Sequence, residues 1–366
     1  MANKFALQNL KLLSGEKVDF VIDDRKISEI IPAGSSRLAN SKNFSDCYVS
    51  SGWIDLHVHA FEDLQPYGDN IDEIGIKQGV TTIVDAGSCG ADQLVDLVNN
   101  SRISKTNVFA FLNVSRIGLT RIDELSNMAW LDESKLMKVV EQYNDFIVGL
   151  KARISKSVVK EQALLPLKKA RLFSEHTNLP LMIHIGSGPP SVEEILPLLK
   201  KHDIVTHFLN GKANNLFDRS GKPLPAFIDA INRGVHIDVG HGSASFSFST
   251  GELAKRNDIY PFSISTDIYR KNRMNGPVYS LGMTASKFLY LGYTLEEVIH
   301  AITVEPAKRI NRSDLGRIQV GDIANLSIFS VENTKVQLVD SDGESRVGNQ
   351  IIKPRGVVIN GEFITC

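Results

Sequence analysis

From Trp53 onward the chain alternates short β-branched runs with longer helix-forming stretches, and it does so eight times. Candidate strands lie at 53–59, 80–86, 107–114, 146–151, 179–185, 204–208, 234–239 and 261–267. Residues 69–78, 91–99, 132–143, 157–176, 191–201, 224–232, 250–256 and 277–289 read as the helices between and after them. Parallel strands need long crossovers, normally helical, so this alternation predicts a parallel sheet. The strand runs are nearly continuous in apolar residues, which suits a sheet covered on both faces, as in a closed barrel. The expected fold class is α/β, a (β/α)8 TIM-like barrel over 51–311.

The flanks have a different texture. Short apolar runs at 5–12, 17–22 and 27–31 are separated by Gly, Asp and Ser turns. After two further helices at 294–302 and 305–310, strand-like runs return at 321–329, 335–338 and 356–364, with Asn360-Gly361 as a two-residue hairpin turn. Chain ends often lie close together, so 1–50 and 312–366 are expected to pair into one small β-sandwich domain.

Composition narrows the partners. The 366 residues carry 41 Lys+Arg against 42 Asp+Glu, a formal net charge of −1. That balance gives no electrostatic reason to expect nucleic acid or an anionic membrane, and a small-molecule substrate is the better expectation. Three cysteines, Cys47, Cys89 and Cys366, are too few and scattered for a disulfide framework or a thiolate metal site. The first fifteen residues lack the apolar stretch of a signal peptide, and no segment approaches the roughly 20 apolar residues of a membrane span. A cytoplasmic homo-oligomer is expected. Any metal chemistry must rest on the nine histidines and on carboxylates.

Asp55-Leu56-His57-Val58-His59 closes the first barrel strand. Residues i and i+2 share a strand face, so His57 and His59 project side by side at the C-terminal rim, where barrel active sites lie. Two neutral imidazoles so placed can bind one metal ion. A His-x-His pair by itself is more often just two partly buried histidines. Lys151, His184, His207 and Asp267 end strands four, five, six and eight. A strand-end Lys is usually a solvated cap and a strand-end Asp often a helix cap, but independent capping gives no reason for all six to share one rim. Lys151 as an amine is a poor ligand. Carboxylated to N6-carboxylysine, it would be an anionic bridge between two divalent metals about 3.5–4 Å apart. His57 and His59 would then hold one metal and His184 and His207 the other, with Asp267 completing the first site.

At this point the chain resembles the amidohydrolase superfamily in its binuclear, carboxylated-lysine form. The likeness rests on Gly52 through His59, Lys151, His184, His207, Asp267 and the late run Gly316 to Leu326, in which Asn325 stands where an Asp is common. Within it the chain is similar to the deacetylase-type metallohydrolases, whose members are often labelled dihydroorotase or adenine deaminase. The resemblance implies two divalent metal ions, zinc being the expected one, a hydroxide bridging them as nucleophile, and Asp267 as the base that passes its proton to the leaving group.

Candidate substrate contacts are Arg153, two residues past Lys151 and suited to clamp a carboxylate, Asn210 and Gly211 after His207, and His241 in the loop Gly240 to Ser245. Tyr269, Arg270, Lys271 and Arg273 read as a solvated basic turn. A dihydroorotase pattern has an Arg two residues past the second His, where this chain has Phe61. Nothing after His59 is tailored to a purine edge. The expected activity is therefore hydrolysis of an amide or ester in a small, anionic acylated acid, such as an N-acetyl-D-amino acid or an O-acetyl-2-hydroxy acid. Ring opening and adenine deamination are the alternatives. No Gly-x-Ser-x-Gly elbow supports a serine hydrolase, and a non-catalytic assembly protein would be expected to have lost ligands.

Overall fold

Both ends of the chain contribute to one sheet. The computed structural model describes residues 4–366. Its N-terminal strands are β1 (Phe5–Lys11), β2 (Lys17–Asp23), β3 (Lys26–Pro32), β4 (Ser41–Asn43) and β5 (Tyr48–Ser51). Then come β6 (Trp53–Val58), β7 (Val80–Ala86), β8 (Asn107–Asn113), β9 (Ile147–Ile154), β10 (Leu181–Ile185), β11 (Ile204–Thr206) and β12 (His236–Asp238). The C-terminal segment adds β13 (Leu326–Val339), β14 (Ser345–Ile359) and β15 (Glu362–Thr365).

Strands β6 to β12 form a seven-stranded parallel sheet in sequence order. All positions of β6 and β7 are buried, which accounts for their mostly apolar texture, broken by Asp55, His57, Thr81, Thr82 and Asp85. Each side chain such as Ile83 or Val84 that leaves water contributes about 1.5–3 kcal/mol. The sheet curls until its edges approach the same segment. Asp238 makes a parallel bridge to Ser263, and Val58 makes one to Ile268.

The strand expected at 261–267 is therefore not a regular strand. The Ser263 and Ser265 hydroxyls donate to Asp238 at 2.5 and 2.7 Å, while Thr266 donates to Asp55 from its backbone N and its hydroxyl at 3.0 and 2.5 Å. Only the bond from Thr266 N replaces one that a ladder would make; elsewhere the segment's backbone bonds to both sheet edges, as in His241 N to Ser265 O and Asp267 N to His57 O.

The helix expected at 157–176 is broken into Lys156–Val159 and Leu165–Thr177, because Lys160 and Ala163 turn through positive φ; Pro166 sits at the start of the second piece. The one expected at 69–78 shrinks to Ile71–Ile74, capped by Asn70.

The second sheet runs β15-β14-β13-β5-β1-β2-β3, with β4 on β1. Hydrogen bonding links all eight strands into one continuous sheet. Phe5, Leu7 and Phe20 from the N-terminal strands share its core with Leu326, Ile328 and Val358 from the C-terminal ones. The β13–β14 hairpin is longer than its sequence suggests, since polar residues such as Asn333 and Gln337 occupy exposed ladder positions. Asn360 and Gly361, with φ of 48° and 82°, make the expected turn into β15. Trp53, fully buried, packs against Phe329 with ring centroids 5.3 Å apart and joins the two sheets. Among the described residues no helix is long and apolar enough to cross a membrane.

Candidate metal centre

His57, His59, Lys151, Arg153, His184, His207 and Asp267 all line one cavity of about 280 Å³ at the C-terminal ends of the parallel strands. His57 lies within β6 and His59 just past it. His184 is next to last in β10, and His207 follows β11. Lys151 departs from expectation: β9 continues to Ile154, so the lysine sits inside the strand and at the cavity floor. Room for its stem depends on Gly87, where an added Cβ would stand 2.7 Å from the Lys151 Cγ. His207 and Asp267, with φ of 69° and 51°, turn in the left-handed region as they leave the sheet.

The ligand atoms of His57, His207 and Asp267 lie within 4.8 Å of one another. Asp267 Oδ1 is 3.0 Å from His59 Nε2 and 3.6 Å from His57 Nε2. The His184 and His207 rings meet edge to face at 4.3 Å. Nδ1 of His207 lies 2.6 Å from the carbonyl oxygen of Gly240, which can only accept, so that nitrogen carries the proton and Nε2 keeps its lone pair. The Thr206 hydroxyl donates to the Asp238 carboxylate at 2.7 Å and accepts from His57 Nδ1 at 2.9 Å, leaving His57 Nε2 unprotonated as well. His59 Nδ1 is held by Ser88 Oγ at 2.8 Å.

Electrostatics favour neutral imidazoles beside a charged carboxylate. Burial lowers the pKa of His57 and takes His207 down to about 3, and burial with the neighbouring His207 puts His184 well below the ordinary range. Burial opposes ionisation of Asp267, yet the imidazoles of His57, His59 and His207 overcome it and hold its carboxyl below the usual value. Lys151 is buried with its Nζ 3.2 Å from His57 Nε2 and 3.2 Å from Met182 Sδ, and burial brings it down to about 7. This buried amine faces an imidazole lone pair and a thioether and makes no ion pair within 4.0 Å among the described residues, with Asp267, Asp238 and Asp85 acting on it only from farther off; carboxylation would give it an anionic form suited to cations. Neutral imidazoles, a carboxylate and a modifiable lysine form a donor set that fits divalent metal ions.

The expected substrate contacts fare differently. Arg153 lines the cavity, but Nε and Nη2 are engaged by Glu124 at 2.6 and 2.5 Å, and Nη2 also donates to the Ile122 carbonyl at 2.9 Å. The Nε–Nη2 edge of its guanidinium is therefore occupied, while Nη1 makes no hydrogen bond among the described residues. Asn210 is buried away from the cavity lining; its Nδ2 donates to the His207 carbonyl and its Oδ1 accepts from Lys212 N. Gly211 faces the β13–β14 hairpin, where an added Cβ would collide with the Asp342 carboxylate. His241 lies behind the loop, stacked on Phe246 at 4.5 Å and bonded to Lys287 Nζ at 2.7 Å.

Ser243, Ala244 and Ser245 of the same loop do line the cavity, together with Tyr67, Leu119, Lys212 and Tyr269. Tyr67, Leu119 and Lys212 escape the sequence reading because they lie in loops without a periodic pattern. Lys212 was the most accessible to it, directly following Asn210-Gly211. Of the basic turn, Arg273 is bonded to Asp69 and Arg270 to Glu62, so it neutralises local carboxylates, and Tyr269 alone reaches the cavity.

The chain is 38% identical to a deacetylase of Enterococcus faecalis over 98% of both chains, and 34% identical to a deacetylase of Brucella anthropi over 87% of this chain and 80% of the relative. Among solved structures, an adenine deaminase superposes with a TM-score of 0.95 at 38% identity over 99% of both chains. A dihydroorotase superposes with a TM-score of 0.91 at 31% identity, over 99% of this chain and 98% of that one. Residues 318–364 match the Deacetylase-like composite domain. With this coverage and a His/His/Asp cluster at the strand ends, the protein is a hydrolase and a member of the deacetylase-like family within the amidohydrolase superfamily.

Proposed function

We propose that this protein hydrolyses the amide or ester bond of a small acylated acid at a centre of two divalent metals, zinc the expected one, held by His57, His59, His184, His207, Asp267 and carboxylated Lys151. The observation that carries the reading is the convergence of His57, His207 and Asp267 above a buried Lys151 whose Nζ makes no ion pair among the described residues. In this reading the irregular segment 261–267 takes the place of the eighth strand and closes a (β/α)8 barrel over 51–311, and 1–50 with 312–366 form a separate β-unit.

What divalent cations supply when bound is an acidified water and a Lewis-acid partner for the carbonyl oxygen. The chain does the rest. Asp267, ionised and 3.0 Å from His59 Nε2, takes the proton of the attacking water and delivers it to the departing nitrogen or oxygen. Thr206 with Asp238, and the Gly240 carbonyl, hold the His57 and His207 rings so that their lone pairs face inward. Tyr67, Leu119 and Tyr269 wall the cavity and limit its water.

Names alone do not choose a substrate, since relatives of similar identity are called deacetylase, adenine deaminase and dihydroorotase. Phe61 argues against ring opening of a dihydroorotate-like substrate. It packs against the apolar core and does not line the cavity, so no cation projects from that position. The test is a panel of N-acetyl amino acids and O-acetyl-2-hydroxy acids of both hands, with adenine and dihydroorotate alongside, on enzyme of measured metal content. Chelator-sensitive deacylation is expected. Faster turnover of adenine or dihydroorotate, or full deacylation by metal-free protein, sinks the proposal.

A further inference from the structure

Besides Lys151, two basic side chains line the cavity near its histidines, Arg153 and Lys212, and they differ in what they already touch. Arg153 is locked on Glu124. Lys212 has no carboxylate within 4.0 Å of its Nζ and no side-chain hydrogen-bond acceptor among the described residues. Its backbone is fixed, because Lys212 N donates to Asn210 Oδ1 at 3.1 Å, and Asn210 is itself tied to the His207 carbonyl. The side chain is therefore launched from a rigid turn five residues past a candidate metal ligand. A point one bond off the Gly186 Cα lies 3.3 Å from His184 Nε2 and 3.5 Å from Lys212 Nζ, which puts the ammonium across a small gap from the imidazole. Partial burial lowers its pKa below the ordinary lysine value, and Asp267 and Asp342, acting from a distance, oppose that shift.

We propose that Lys212 is the anchor for the substrate's carboxylate, and that this ammonium, not the Arg153 guanidinium, makes the enzyme selective for acylated acids over neutral amides and esters. The inference rests on the function proposed above and specifies its substrate class. In an N-acyl amino acid or O-acyl-2-hydroxy acid the carboxylate carbon is three bonds from the acyl carbon, so one end can reach Lys212 while the acyl group lies over the histidines. A flexible ammonium is a point charge and tolerates either carboxylate orientation, whereas the Nε–Nη2 edge of Arg153 is already filled by Glu124, whose carboxylate also offsets the guanidinium charge.

The test compares acid and amide forms of one ligand. Calorimetry on metal-loaded full-length protein would titrate D- and L-lactate against the matching lactamides, and kcat/KM would be measured for the O-acetyl derivatives of each. Wild type is expected to favour one lactate over its lactamide by about 10- to 100-fold, the range for a hydrogen bond to a charged group. Lys212→Met should erase most of that ratio through KM, and Lys212→Arg should restore part of it. Metal content and Tm for both variants, with Lys212→Gln as a second neutral replacement, separate loss of the anchor from loss of the fold. If Lys212→Met keeps the wild-type ratio, another group reads the carboxylate and the anchor is overturned while the substrate class stands. If wild type treats acid and amide alike, the acylated-acid reading falls and Lys212's assigned role falls with it.

Discussion

Thr206 Oγ1 lies 2.9 Å from Nδ1 of His57, and the neighbouring Asp238 carboxylate, completely buried, decides which of the two carries the shared proton. Because the hydroxyl donates to Asp238, the imidazole must donate to the hydroxyl. Thr206→Val keeps the shape and removes that acceptor, so His57 is free to protonate on Nε2. Affinity for the metal should drop about 10- to 100-fold, as when other outer partners of metal-binding histidines are removed. Competition with a chromophoric chelator measures it. Unchanged affinity in Thr206→Val would falsify this role.

Asp267→Asn should separate binding from turnover. The amide keeps a carbonyl oxygen near His57 and His59 but cannot hold a proton in transit. Most of the metal should stay, and kcat should fall about 10²- to 10⁴-fold, the usual contribution of a positioned acid and base. Elemental analysis alongside kinetics gives both numbers. A variant with its metal and more than a tenth of its activity would show that the proton moves by another route.

Lys151→Ala is expected to lose metal and activity together, and short carboxylic acids such as acetate or propionate should restore part of both by filling the space of the missing carbamate. Carbon-13 bicarbonate labelling supplies an independent readout: wild type should show one carbamate resonance that Lys151→Ala lacks. Full activity in Lys151→Ala, with no added acid, would overturn the assignment.

Much of this arrangement was legible before any coordinates, and the reason is periodicity. His57 and His59 are two apart on a strand, and each of the other candidates sits at or near the end of an apolar run, so strand geometry alone carries them to one rim. Residues whose partners are distant in sequence were not legible. Glu124 meets Arg153 from a loop 29 positions away, and Asp238 meets Thr206 from 32. Asp55 was read only as part of a motif; its contact is with Thr266, 211 positions on, where it fastens the irregular closing segment to β6. The same segment bridges β12 and β6 without forming a regular strand: Asp267 turns through positive φ, and Thr266 N bonds to the Asp55 carboxylate and not to a backbone carbonyl.

The Arg153–Glu124 pair predicts a stability effect where the sequence suggested a binding one. Both groups are largely buried, and burial pushes the Glu124 carboxyl upward against the guanidinium. Arg153→Met should cost about 3–5 kcal/mol in urea unfolding, because it leaves a buried carboxylate unpaired, and the double variant Arg153→Met/Glu124→Met should recover most of it. A stable Arg153→Met with a raised KM for acids would point back to Arg153 as a substrate clamp.

The hairpin between β13 and β14 ends on the loop that walls the cavity, which couples the terminal sheet to the site. Ser341 N donates to the Phe246 carbonyl at 2.9 Å, the Ser341 hydroxyl donates to the Gly242 carbonyl at 2.9 Å, and Asp340 Oδ2 accepts from Phe248 N at 2.9 Å. Gly242 passes so close to Asp267 that an added Cβ would collide with its carboxylate. Residues 242–248 are thus pinned from outside by a strand turn and from inside by the candidate base. Asp340→Ala removes an acceptor that also holds Asp342 N and Glu344 N at 2.9 and 2.8 Å, so the tip should loosen as a unit. Amide exchange across 242–248 should speed up, since local opening follows the loss of such anchors. KM should rise several-fold with metal content unchanged, because Ser243 and Ser245 line the cavity whereas the candidate ligands hang from the sheet. Exchange that speeds up throughout the chain would instead mark Asp340 as a global stability residue, and unchanged exchange across 242–248 would show that the hairpin does not hold the loop.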